Sequence, residues 1–198
     1  MFRPVGVVLA GGAGKRMGGP KGAFVFRGKT LVQRAVEALQ PVCDRVLVSV
    51  AAGAAPPLSL ATTIEDPPPA GRGPLAGLAA AFAETGDADL MVLACDYPFV
   101  EASFCRAIVA AAQFGPEVDV AFPVDASGRD HPLVAFWRRT AEAAITAALC
   151  RGELSVRGVL GVVRVRRLAA HDFSVREIDP FLENWNTPAD TPRGGFGP

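Results

Sequence analysis

Val5-Gly-Val-Val-Leu-Ala10, running into Gly11-Gly-Ala-Gly-Lys-Arg-Met-Gly-Gly-Pro-Lys21, is the stretch on which the fold turns. A short, continuous apolar run ending in glycines reads as a strand buried on both faces, the kind a parallel sheet needs. The glycine-rich segment after it must be a loop. Working outward, Thr30 and Gln33 have capping-box spacing. Leu31, Val32, Ala35, Val36 and Leu39 form one helical stripe closed by Pro41. Apolar runs at 45–50, 61–64 and 89–95 predict further strands, with a helix over 75–84 that has Pro74 in its first turn. Phe24-Val-Phe26 reads as a short strand turning at Gly28. Further on come a helix at 102–113, strands at 118–124 and 132–137 around a polar turn, helices at 140–150 and 154–160, and a strand at 162–168. Strand and helix alternate, which predicts an α/β fold of three layers with a mostly parallel, mixed, Rossmann-like central sheet. We expect one domain over residues 1–190 and a flexible tail over 191–198.

Composition narrows the function. The chain has 198 residues, with 20 Lys+Arg against 20 Asp+Glu and a formal net charge of zero. That length suits one sizeable core, and zero net charge argues against a protein that coats nucleic acid or an anionic membrane. The charge is uneven, however. The first 30 residues hold Arg3, Lys15, Arg16, Lys21, Arg27 and Lys29 and no acid, and these are the only three lysines of the chain. An arginine-rich codon preference explains the missing lysines elsewhere, not their persistence here. Cys43, Cys95, Cys105 and Cys150 form no CxxC pair, so a zinc site of usual spacing is not expected. No apolar run of membrane length is free of charge, and the N-terminal run is poor as a signal peptide. The expected compartment is the cytoplasm.

The loop itself carries chemistry. Glycines let backbone N–H groups approach phosphate oxygens, and Lys15, Arg16 and Lys21 supply cations. The spacing matches neither the Walker A loop nor the dinucleotide GxGxxG. An ordinary Gly-rich strand-to-helix turn is the competing reading. In an open α/β sheet ligands sit beyond the carboxyl ends of the strands. That rule picks out the loop after Ala10, the Glu65-Asp66 pair and Asp96.

The pattern LAGG-x-G-x-R-M-G-x-x-K resembles the signature of nucleotidyltransferases, and most of all the molybdenum cofactor guanylyltransferase (MobA) family. Four further segments agree in order: Gly73-Pro-Leu-Ala-Gly77, Leu93-Ala-Cys-Asp-Tyr-Pro98, Arg129-Asp-His-Pro-Leu133 and Asn184-Trp-Asn-Thr-Pro188 with Asp190. The resemblance implies transfer of GMP from GTP to the phosphate of Mo-molybdopterin, with pyrophosphate released. It implies that Leu9, Ala10, Gly11 and Gly12 hold the guanine and ribose, LAGG going with GTP and LAAG with CTP. Lys21 would contact phosphates and Arg16 would neutralise the leaving pyrophosphate. Asp66 would bind the nucleotide. Asp96 would bind the nucleotide and Mg²⁺, an ion that favours carboxylate plus phosphate oxygens. Asn184 and Asn186 would bind molybdopterin or assist the metal, and Arg129, Asp130 and His131 would lie on the pterin side. Molybdenum cofactor insertion proteins and molybdoenzymes are the protein partners it suggests.

Each position has a plainer reading: a solvated loop acid for Asp66, a helix N-cap for Asp96, a strand turn for Arg129 and Asp130, a satisfied core histidine for His131, an Asx turn for the asparagines. Cys95 reads as a buried small hydrophobe. Two departures from the family stand out. Pro20 occupies the place before the loop lysine where the family often has Asp, and Ser49 aligns with a strand-end Asn that helps bind nucleotide in some members. The rival activities are a cytidylyltransferase for the same cofactor, another small-molecule phosphate nucleotidyltransferase, and a non-catalytic molybdopterin carrier.

Overall fold

The computed structural model describes residues 3–11, 21–54, 61–67, 71–113, 118–173, 177–186 and 190. Nine strands are formed among them: β1 (Val5–Leu9), β2 (Val25–Phe26), β3 (Lys29–Thr30), β4 (Val46–Val50), β5 (Thr62–Glu65), β6 (Leu90–Ala94), β7 (Val120–Pro123), β8 (Val134–Trp137) and β9 (Val165–Leu168). The helices are α1 (Leu31–Leu39), α2 (Pro74–Thr85), α3 (Ala102–Gln113), α4 (Glu142–Cys150), α5 (Val156–Leu160) and α6 (Asp179–Leu182). The expected tail over 191–198 and the loop residues 12–20 lie outside the described residues.

Seven strands form one sheet in the order β5-β4-β1-β6-β8-β7-β9. All neighbours are parallel except β8, which runs antiparallel to β6 and to β7. The expected mixed, mostly parallel sheet is what forms. β1 and β6 are buried along their whole length, as their unbroken apolar runs require. Helices α1 and α3 pack together, as do α2 and α4, and α1 and α2 both cover β1, giving the helix–sheet–helix layering. The capping box read from Thr30 and Gln33 is formed: Gln33 N donates to Thr30 Oγ1 at 3.1 Å, and Thr30 N donates to Gln33 Oε1 at 2.7 Å. β2 and β3 make a separate hairpin around Gly28, whose φ of +76° suits a residue without Cβ.

Two local readings shift. The strand expected at 162–168 begins only at Val165, because Gly161 N and Val162 N are spent on Arg157 O and Val159 O at the end of α5. The region after Leu168, where the sequence predicts no helix or strand, contains the single-turn helix α6, too short for a periodic signal.

Candidate active site

The chain leaves β1 for β4 and β5 on one side, then crosses to β6 on the other. Strand order reverses at β1, so a crevice opens beyond the carboxyl ends of β1 and β6. A cavity of about 190 Å³ lies there. Its walls include Leu9 and Gly11 after β1, Ser49 of β4, Asp66 after β5, Cys95 and Asp96 after β6, and Gly73 and Gly77 at the start of α2.

Backbone bonds hold these strand ends in one register. Ala10 N donates to Ser49 O at 2.8 Å, Cys95 N to Leu9 O at 3.2 Å, and Asp66 N to Val50 O at 2.8 Å. Asp66 is thus delivered by the sheet to the cavity wall, rather than left as a solvated loop acid. Burial pushes its carboxyl above the ordinary carboxylate range, against the hydrogen bond from Ser49 Oγ to Asp66 Oδ1 at 2.5 Å. Gly11 sits against the other oxygen: a Cβ there would stand 3.0 Å from Asp66 Oδ2 and 3.4 Å from Ala51 N. The loop before α2 is clipped from outside by Arg72, which donates to Leu149 O at 2.7 Å, near the carboxyl end of α4. Gly73 takes φ +69° as it enters the helix.

Asp96 follows β6 directly. The C-terminal segment is tied to it, since Trp185 N donates to Asp96 O at 2.8 Å. Trp185 is buried edge-on against Phe26 and Phe99, with ring centroids 4.8 and 5.6 Å away. This aromatic anchor sets Asn184 and Asn186 on either side of a fixed point beside Asp96. Asn186 N donates to Asp190 Oδ2 at 2.8 Å, and Asn184 lines a second hollow of about 290 Å³ with Asp125, Arg129 and His131.

His131 is 2% exposed and satisfied at both ring nitrogens, with Nε2 3.1 Å from Asp125 Oδ2 and Nδ1 3.1 Å from Tyr97 Oη. It is therefore a satisfied core histidine that also forms part of a hollow wall. Asp125, absent from the sequence-level candidates, organises this turn. It accepts from Ser127 N, Ser127 Oγ and Arg129 N as well as pairing with His131. Burial raises its carboxyl, but the hydrogen bonds from Ser127 and Arg129 and the His131 partner outweigh that and hold it well below the usual range. Asp130 turns away to Arg167 of β9 at 2.7 Å and does not join the hollow.

Leu9, Gly11, Asp66 and Asp96 thus meet in one cavity, and Ala10 is bonded into its rim. Gly12, Lys15 and Arg16 lie outside the described residues. Lys21 is described only through its backbone, in a single 3₁₀ turn with Gly22 and Ala23. Gly77 and Ser49 line the cavity in parts that the sequence does not reveal: the first falls inside the Gly73–Gly77 motif, and the second stands where some family members have Asn.

Comparison with known proteins agrees with this geometry. A family model described as the MobA-like NTP transferase domain matches residues 6–170. A molybdenum cofactor guanylyltransferase of Acidiphilium cryptum is 34% identical, with 93% of this chain and 90% of that protein covered. One from Sinorhizobium fredii is 33% identical, over 92% and 86%. Among solved structures, molybdopterin-guanine dinucleotide biosynthesis protein A from Archaeoglobus fulgidus superposes with a TM-score of 0.74 at 22% identity, over 94% of each chain. A 2-C-methyl-D-erythritol 4-phosphate cytidylyltransferase from Thermus thermophilus reaches 0.64 at 20% identity, over 90% of this chain and 96% of that one. The sheet order, the position of the cavity and the extent of the sequence match lead to one conclusion: the chain belongs to the MobA-like NTP transferase family.

Proposed function

We propose that the protein is a molybdenum cofactor guanylyltransferase, transferring GMP from GTP to the terminal phosphate of Mo-molybdopterin. The observation that carries this reading is the meeting of Asp66, Asp96 and the Leu9–Gly11 backbone in one cavity where the strand order reverses. An oxygen of the molybdopterin phosphate bonds to the α-phosphorus of GTP. The α–β phosphoanhydride bond breaks, and pyrophosphate leaves with its electron pair. The phosphate nucleophile is already ionised, so the protein needs no general base. Its work is positioning and charge neutralisation.

Divalent-metal dependence goes with nucleotidyltransferases, and we assign Mg²⁺ to Asp96. Among the described residues no group of three or more His, Cys, Asp or Glu side chains gathers around one point. A single carboxylate completed by substrate phosphate oxygens is a donor set that Mg²⁺ accepts. When bound, the ion would neutralise charge on the triphosphate. Arg16 and Lys21 supply the remaining cations on this reading. The hollow beside Asn184 receives the pterin, with Asn186 nearby.

Gly11 gives the LAGG form that goes with GTP in the family this chain resembles, and a Cβ there would stand 3.0 Å from Asp66 Oδ2. Among the described residues no helix is long and apolar enough to cross a membrane, and we place the reaction in the cytoplasm.

The test is a thermal-shift panel of GTP, CTP and ATP with Mg²⁺, followed by pyrophosphate release with molybdopterin as acceptor. GTP is expected to stabilise most, because the shift grows with ligand concentration over Kd. Turnover with CTP alone would overturn the guanylyl assignment. Molybdopterin binding without pyrophosphate release would indicate a carrier.

A further inference from the structure

We propose that Ser49 is a positioning residue that acts on the nucleotide through Asp66, and that Gly77 is kept free of a side chain to let it do so. The inference rests on the reading of this cavity as the nucleotide site. Ser49 is 1% exposed and sits at the end of β4, facing α2. A serine hydroxyl has one proton to donate, and here Ser49 Oγ gives it to Asp66 Oδ1 at 2.5 Å. The hydroxyl is thus committed to the protein and does not read the ligand by donation, unlike the two-donor asparagine of some relatives.

The consequence falls on Asp66. Its backbone is pinned by the bond to Val50 O, and its side-chain torsions by the bond from Ser49. With Oδ1 held, Oδ2 lies on the Gly11 side, where both residues form the cavity wall. The carboxylate then presents one oriented acceptor to the N–H or O–H donors of a nucleoside. Holding an acceptor in place before binding removes an ordering cost that the ligand would otherwise meet.

Gly77 completes the arrangement. It lies in the first turns of α2, where glycine is a poor helix former. A Cβ at this position would stand 2.6 Å from Ser49 Oγ, 2.8 Å from Leu9 Cδ2 and 3.3 Å from Asp66 Oδ1. Any other residue would push directly on the serine–aspartate pair. The helix accepts a weaker former so that the pair stays closed.

The experiment measures KM and kcat for GTP, with molybdopterin as acceptor, in the wild type, Ser49→Ala, Asp66→Ala and the double variant. Each protein's melting midpoint is recorded. Ser49→Ala removes one oxygen and is expected to keep the fold. Its KM should rise about tenfold, because the cost of ordering Asp66 then falls on the ligand, with kcat within about twofold. Adding Ser49→Ala to Asp66→Ala should raise KM no further, because the serine has lost the group it orients. A KM for Ser49→Ala within about twofold of wild type, or two effects that simply multiply, would overturn the role of Ser49. A wild type that turns over CTP and not GTP would overturn the guanylyl reading instead, and the same four proteins would then decide Ser49 with CTP. A wild type with no nucleotide turnover sinks the reading of the cavity itself.

Discussion

The two edges of the central sheet treat their acids in opposite ways. At the amino edge, Asp119 precedes β7 and is 7% exposed. It accepts from Arg164 N, Nε and Nη2 at 2.9 to 3.0 Å and from Thr140 Oγ1 at 2.6 Å. Its neighbour on that edge, Asp89, takes Arg139 N at 2.8 Å. At the carboxyl edge, Asp66 receives one serine hydroxyl and faces a cavity. The pKa directions follow. Arg164, with Thr140, holds Asp119 far below the usual carboxylate range despite burial, while burial carries Asp66 above it despite Ser49. One edge is saturated and staples the fold. The other keeps acceptor capacity for something the protein does not itself supply, the pattern expected of a functional site.

The sharpest way to break this contrast is Asp96→Ala. Turnover should fall by about 10³-fold if Asp96 holds the metal and its phosphates. The melting midpoint should stay near wild type. Pyrophosphate release under GTP and Mg²⁺ measures it, and near-normal release would remove Asp96 from the mechanism.

Asp119→Ala should do the reverse. We expect about 2 kcal/mol of lost stability, since four part-buried hydrogen bonds from Arg164 and Thr140 lose their acceptor, part of the loss being recovered by water around these exposed residues. KM for GTP should be unchanged. Urea unfolding checks it. Unfolding across pH gives the sign. The Asp119 contribution is present above the ordinary carboxylate pKa and is lost as pH falls through its depressed folded value. Asp119→Asn should therefore flatten the acid side of the stability curve. Asp66 works oppositely: its raised folded value favours the fold most in acid, and that contribution is lost as pH rises through it.

The smallest change is the most diagnostic. Gly→Ala inside a helix ordinarily stabilises by up to ~1 kcal/mol. For Gly77→Ala we expect a lower melting midpoint together with a higher KM for GTP, because the new methyl meets Ser49 Oγ and Leu9. A raised melting midpoint with unchanged KM would show that the pair tolerates pressure, and the contrast between the edges would lose its steric basis.

Much of the fold was legible because its signals are local. Unbroken apolar runs mark β1 and β6, and spacing alone places the capping box of α1. The exceptions are equally local in origin: α6 is one turn long, and β9 starts late because the donors before it are used by α5. At the site, Asp66 and Asp96 were legible from their places after strands. Asp125 was not, since a turn aspartate looks alike whether it faces water or a buried histidine. Gly77 was not, since the reason for a missing Cβ is a neighbour 28 residues earlier in the chain.

The sequence by itself determined the alternation of strands and helices, the glycine loop with its cations, and the family those motifs resemble. Periodicity and composition act within a few residues and need no folded context. Only the tertiary structure decided which acids share a cavity, which are neutralised, and which small side chains are small for a reason. Those are properties of sheet order and of contacts between residues far apart in the chain. The bond from Ser49 to Asp66 exists because β4 and β5 lie side by side.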